Sequence, residues 1–76
     1  MYIVESRVCA RLNQGIDSFI RVTSVLRRKE FNIKEINMKS QSSHIDLDIV
    51  VYDQSLTGSV VKQISKLADV KEIKVV

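Results

Sequence analysis

The sequence predicts an α+β domain in which two helices cover one face of a four-stranded antiparallel sheet. Three observations predict it. Apolar and polar residues alternate, as they do in a half-buried strand, in four separate stretches. Two stretches between them change to helical spacing, with an apolar stripe on one side. Their order is βαββαβ, and helices gathered on one face of an antiparallel sheet bury all of these apolar sides together.

The first strand is expected over residues 2–12. Tyr2, Val4, Val8, Ala10 and Leu12 share one parity with Ser6, and Glu5, Arg7 and Arg11 lie on the other. Asn13-Gln14-Gly15 breaks the alternation, as a turn does. From Ile16 to Lys29 the spacing is helical: Ile16, Phe19, Val22, Val25 and Leu26 form the stripe, opposite Asp17, Arg21, Ser24 and Arg28. Asp17 in the first turn and Arg27-Arg28-Lys29 in the last both complement the helix dipole, which accounts for the basic triplet without a phosphate site.

Residues 31–40 and 44–52 read as a hairpin joined by Gln41-Ser42-Ser43. Ile36 and Met38 face inward on its first strand; Ile45, Leu47, Ile49 and Val51 do so on its second. Ile33 has the opposite parity to Ile36, so a bulge is expected near Lys34. A second helix is expected from Leu56 to Ala68, with Leu56, Val60, Ile64 and Leu67 inward and Ser55 as N-cap. Val70 to Val76 forms the last strand. The whole is the ferredoxin-like split βαβ arrangement, read as one domain over residues 1–76.

A chain of 76 residues has a modest core, and association is a common source of added stability at this size. One cysteine, Cys9, cannot form an internal disulfide, and one histidine, His44, cannot make a metal cage. The net charge of +3, from 12 basic and 9 acidic residues, is well short of a nucleic-acid footprint. No apolar run is long enough to span a bilayer, and no signal peptide is visible at Met1 to Arg7, so a cytoplasmic location is the default expectation.

The fold hosts many functions, so each site it could carry is tested on its own residues. His44, Asp46 and Asp48 share one strand face, as a metal or proton-transfer site would require. They are equally the solvated residues of an open sheet face, paired across strands with Arg7, Arg11, Lys39 and Lys74, and this second reading predicts no catalytic residue. An acylphosphatase needs a basic phosphate cradle after the first strand, where this chain has Asp17. A copper chaperone needs Cys-x-x-Cys, whereas Cys9 stands alone as a packing residue or a bystander. RNA-binding sheets of this order stack bases on central aromatics, and the open face here has none.

Three passages carry a resemblance. Arg21 to Ile33 (RVTSVLRRKEFNI) looks like a helix-to-strand passage of the form RV…L…RRGFNI. Ile45 to Val51 (IDLDIVV) stands where the third strand should be. Val61 to Ile73 (VKQISKLADVKEI) is similar to KQLNKLxDVxxV, and its Lys-Leu-x-Asp-Val junction is not demanded by the fold. On these residues the chain resembles an ACT domain, and more narrowly the short regulatory small subunit of acetohydroxyacid synthase (acetolactate synthase). The resemblance implies a non-catalytic homodimer that binds and modulates a separate catalytic subunit in valine, leucine and isoleucine biosynthesis. Thiamine diphosphate, Mg²⁺ and FAD would belong to that subunit, and this chain would hold no cofactor. The alternative is a free-standing ACT domain that senses another amino acid for another enzyme.

The resemblance also implies an effector site. Asn13, Gln14, Gly15 and Ile16 would offer backbone N–H groups to an amino-acid carboxylate at the start of the first helix, with Asn32 as a polar partner across the dimer interface. Such donors are unpaired at a helix start, and the dipole favours an anion there. Two departures qualify the expectation. Glu30 stands where the family has glycine, so the backbone must avoid the left-handed region there or strain a residue with a Cβ. Asp17 brings a carboxylate into the first turn, so valine, leucine and isoleucine are expected to bind weakly or not at all, leaving activation of the catalytic subunit as the retained role.

Overall fold

A computed structural model describes residues 5–76. Its elements run β1 (Ser6–Asn13), α1 (Ile16–Arg28), β2 (Ile33–Ser40), β3 (His44–Val51), a 3-10 turn (Gln54–Leu56), α2 (Thr57–Ser65) and β4 (Val70–Val75). The strands form one antiparallel sheet in the order β2-β3-β1-β4. The expected βαββαβ order and α+β class are therefore the observed ones. Tyr2 and Val4, expected in the first strand, lie outside the described residues.

Register explains the core. Val8 faces Ile49, Ala10 faces Leu47 and Leu12 faces Ile45, so β1 and β3 present one continuous apolar face. Val22 and Leu26 of α1 and Val60 and Ile64 of α2 close over it. Val8, Leu12, Val22, Ile49, Val51, Val60 and Ile64 retain no exposed surface. Fully burying one such side chain stabilises by about 1.5–3 kcal/mol, and most of the sum is offset by chain entropy.

The bulge expected near Lys34 is present: Ile33 pairs with Val51 and Glu35 with Val50, leaving Lys34 as the extra residue. Lys34 turns outward and pairs with Glu5. A second irregularity lies in β4, where Glu72 pairs with Arg11 but Val70 with Leu12, so Lys71 is the additional residue. It sets the start of β4 beside the end of β1.

Several expected details differ. Ile16 is 56% exposed and is no part of the core stripe; Ser18, 2% exposed, takes the buried place at that end of α1. The seam runs Ser18–Val22–Val25–Leu26, rotated because a polar partner of Ser18 packs there. Ser55 is not the N-cap of the second helix. The Asp53 carboxylate accepts the Ser55 N–H at 2.9 Å, and a 3-10 turn intervenes before α2 begins at Thr57. This helix ends at Ser65 rather than Ala68, because Leu67 N–H bonds to Ile64 in a tightened last turn. Met38 has the expected inward parity but is 37% exposed, since β2 is an edge strand that the helices cover incompletely. No helix among the described residues is long and apolar enough to cross a membrane.

Candidate functional site

The turn between β1 and α1 is built on Gly15. Its φ of 115° and ψ of 139° lie where only glycine is at ease, while a Cβ would meet nothing within 4 Å. The requirement is conformational, not one of space. Gly15 caps α1 without a side chain, and its carbonyl accepts the Ser18 N–H at 3.1 Å. The N–H groups of Gln14, Gly15, Ile16 and Asp17 have no partner among the described residues. Gln14, Gly15, Ile16 and Asp17 are all exposed. The first turn of α1 thus offers free donors to solvent, as any helix start does, and carries Asp17 beside them.

This turn is tied to the other end of the chain. The Asn13 N–H donates to the Asp69 carbonyl at 2.8 Å. The Ser18 hydroxyl donates to Asp69 Oδ1 at 3.2 Å, and Arg21 donates to both Asp69 oxygens, Nη2 to Oδ1 at 2.9 Å. The Arg21 hydrogen bonds chiefly, against some desolvation and with help from its charge and from Ser18, hold the Asp69 carboxyl below its ordinary range. The same partnership raises the Arg21 guanidinium, to which Asp17 adds. Nothing in the local sequence of Asn13–Ile16 announces this clamp; the one signal is the Asp69-Val70 junction singled out by resemblance.

Asn32 does not join the turn within one chain. It precedes Ile33, which pairs with Val51, whose other neighbour is Ser6; Asn13 is at the far end of β1, against His44. The expected site residues therefore fall into two groups, Asn13–Ile16 at one end of the sheet and Asn32 at the other.

The open sheet face carries the remaining candidates. Asp46 lies between Arg11, with Nε at 3.4 Å, and His44, with Nε2 at 3.3 Å; Arg11 also reaches Glu72 at 3.5 Å. Burial pushes the Asp46 carboxyl up, but His44 and Arg11 outweigh it and the net displacement is downward. Of the expected cross-strand cations, Arg11 makes its contact. Lys39 stands opposite Asp46 and Lys74 opposite Cys9 in register, and Arg7 faces Val50. His44 is less exposed than expected, its side chain 20% accessible, with Nδ1 3.0 Å from the Ser43 hydroxyl. The Cys9 thiol donates to Asp48 Oδ1 at 2.9 Å, and that hydrogen bond, with burial, pushes the thiol up from its ordinary value. Arg11, Lys39 and Lys74 line a shallow concavity of about 680 Å³ together with Asp46, Asp48 and Glu72, so its acids and bases balance. Among the described residues no cluster of three or more His, Cys, Asp or Glu could hold a metal ion.

On the helical side, α1 and the edge strand β2 frame a small, mainly apolar groove of about 210 Å³, lined by Thr23, Leu26, Arg27, Phe31, Ile33 and Ile36. Ile16 and Ile20 are half exposed one turn apart on α1.

A four-stranded antiparallel sheet with two helices on one face, and a glycine turn leading into the first helix, defines a small ferredoxin-like module. The chain belongs to the ACT domain family, regulatory amino-acid-binding modules, whose model matches residues 16–73. Solved structures share the fold, among them two of one domain. The solution structure of the ACT domain from GTP pyrophosphokinase of Chlorobium tepidum superposes with a TM-score of 0.84 at 10% identity, covering 100% of this chain and 89% of that one. The crystal structure of the same domain gives 0.81, also at 10% identity, covering 99% and 100%. At that identity the likeness is one of fold. No curated protein sequence matches the chain.

Proposed function

We propose that this chain is the non-catalytic regulatory subunit of an acetohydroxyacid synthase, binding a separate catalytic chain and modulating it in branched-chain amino-acid synthesis. The observation that carries the reading is the Val61–Ile73 passage, whose Leu67-Ala68-Asp69-Val70 junction resembles that subunit beyond what an ACT fold requires. The role of Asp69 supports it, since this residue reaches the effector turn rather than serving only its own strand. Thiamine diphosphate, Mg²⁺ and FAD would be bound by the catalytic chain.

In this reading the chain acts as a homodimer, and its topology favours one way of pairing. The edge strand β2 has unpaired backbone groups on its outer side. Antiparallel pairing of two β2 edges carries the partner subunit's Asn32 to the same end of the sheet as Asn13–Ile16, and brings the apolar grooves beside α1 together. An amino acid would then place its carboxylate on the amides of the turn and meet the partner's Asn32. Asp17 lies in that first turn and opposes an anion, so valine, leucine and isoleucine bind weakly and activation of the catalytic chain is the principal role.

The test mixes the purified chain with a catalytic acetohydroxyacid synthase chain from the same source. Co-elution with at least a several-fold rise in acetolactate formation is expected. Absence of both, together with micromolar binding of an amino acid outside the branched-chain group, would instead identify a free-standing sensor for another enzyme. Micromolar binding of valine, leucine or isoleucine, abolished by Asn32→Ala, would restore the ordinary feedback sensor.

A further inference from the structure

We infer that Asp69 is the positioning residue of the β1–α1 turn, holding in one conformation the segment whose amides face a ligand. The inference rests on the reading of that turn as the effector site, but its core is a set of contacts that no part of that reading requires.

Asp69 belongs to the junction between α2 and β4, yet all of its polar partners lie in or beside the β1–α1 turn. Its carbonyl takes the last strand amide, Asn13 N–H, at 2.8 Å. Its carboxylate takes the Ser18 hydroxyl at 3.2 Å and a two-pronged contact from Arg21. Asn13 and Ser18 bracket the turn on both sides. Between them, the N–H groups of Gln14 to Asp17 have no partner among the described residues, and the one bond made within the turn is that of the Ser18 N–H to the Gly15 carbonyl. A glycine turn with free amides has many accessible conformations, and fixing one costs entropy that a ligand would otherwise have to supply. Asp69 fixes both ends from outside, and the extra residue Lys71 in β4 is what shifts Asp69 into reach.

The clamp is suited to positioning rather than to holding the fold together. The Arg21 side chain is 55% exposed and that of Asp69 15%, so solvent screens the pair in part and its contribution to global stability is modest though measurable. Ser18 is buried, so its hydroxyl needs the carboxylate it meets. Removing the charge of Asp69 should therefore loosen the turn locally and leave the sheet in place.

The test is amide hydrogen exchange by NMR on the wild-type chain, Asp69→Asn and Arg21→Gln, the last keeping the test open should Asp69→Asn fold poorly. Asn13 and Ser18 amides are expected to exchange about tenfold faster in both variants, while those of Val8, Ile49 and Leu47 change by less than about twofold. Arg21→Lys, which keeps the charge but not the fork, should recover part of the protection. Unchanged exchange at Asn13 and Ser18, or a uniform rise over the strands, would overturn the assignment and leave Asp69 a merely structural residue. A parallel titration of valine, leucine and isoleucine, followed by the shifts of the Gln14–Asp17 amides so that millimolar binding registers, separates the two claims. Should any bind, Asp69→Asn must weaken it by about tenfold, and equal affinity would count against positioning. Should none bind, the branched-chain effector reading of the turn falls while the exchange result still decides the role of Asp69.

Discussion

Arg21 and Asp69, separated by 48 residues, form a two-pronged ion pair that joins the first turns of α1 to the start of β4. The pair is the outermost layer of a contact that also includes the buried Ser18 hydroxyl, so it links an exposed charge to the edge of the core. Its consequence is a long-range tether at the end of the sheet where the glycine turn lies.

Acid should release that tether. Arg21 first, then its charge and Ser18, hold the Asp69 carboxyl below its ordinary range in the folded chain. A depressed folded value means that the unfolded chain takes up the proton first, at about pH 4. The contribution is therefore complete above that pH and is lost as pH falls through the folded value. Asp46 has the same sign. Urea midpoints measured from pH 6 down to pH 2.5 should fall on acidification, and Arg21→Gln should show a smaller fall. An identical pH profile in the two proteins would remove Asp69 from the account.

Thr57 is a second place where a polar group is out of balance. It is 8% exposed at the first residue of α2, and its Oγ1 has no hydrogen-bond partner among the described residues. A buried hydroxyl without a partner costs about 1–3 kcal/mol of desolvation. Valine has nearly the same shape and lacks the hydroxyl. Thr57→Val is expected to raise the unfolding free energy by about 1 kcal/mol in urea titration. A loss of stability would mean that the hydroxyl is satisfied in solution.

Most of the fold was legible because the sheet and helix periods are written in side chains a few residues apart. Even the bulge at Lys34 could be read from the conflicting parity of Ile33 and Ile36, and the register confirms it. What could not be read depends on partners far away in sequence. Ile16 has the right spacing for the core stripe, but Asp69 claims the adjacent slot for Ser18 and leaves Ile16 in solvent. Ser55 has the right chemistry for a cap, but Asp53 is two residues nearer the strand and bonds its N–H first. The separation of Asn32 from Asn13 did follow from topology, because β1 and β2 run in the same direction, which puts the end of β1 and the start of β2 at different ends of the sheet.

The open face yields a prediction about Cys9. Its thiol donates to Asp48 and is pushed up by that hydrogen bond, by burial and by the neighbouring carboxylate charge, with Lys74 and Arg7 opposing. The thiolate is the reactive form, so Cys9 should be alkylated by iodoacetamide more slowly at pH 8 than free cysteine. Asp48→Asn removes the acceptor charge and should speed the reaction several-fold. Equal rates in the two proteins would show that access, not the carboxylate, limits the thiol.

The end of α1 supplies the sharpest case of a residue at odds with its backbone. Glu30 has φ of 57°, the left-handed region, and it is the one non-glycine residue there among those described. The hydrogen bonds explain why. Phe31 N–H reaches the Leu26 carbonyl at 3.3 Å and Glu30 N–H the Arg27 carbonyl at 3.0 Å, the paired bonds of a Schellman ending, which demands a left-handed residue at the first position past the cap. Phe31 and Leu26 also share the apolar groove against β2, so the ending is held by packing as well. A Cβ in this conformation costs about 1–2 kcal/mol, and glycine returns part of the gain through its freer unfolded chain. Glu30→Gly should therefore stabilise by about 1 kcal/mol in urea titration. Glu30→Ala keeps the Cβ and should gain little, which separates relief of strain from the loss of the Glu30 charge. Equal stabilisation by both changes would assign the effect to that charge instead of the backbone.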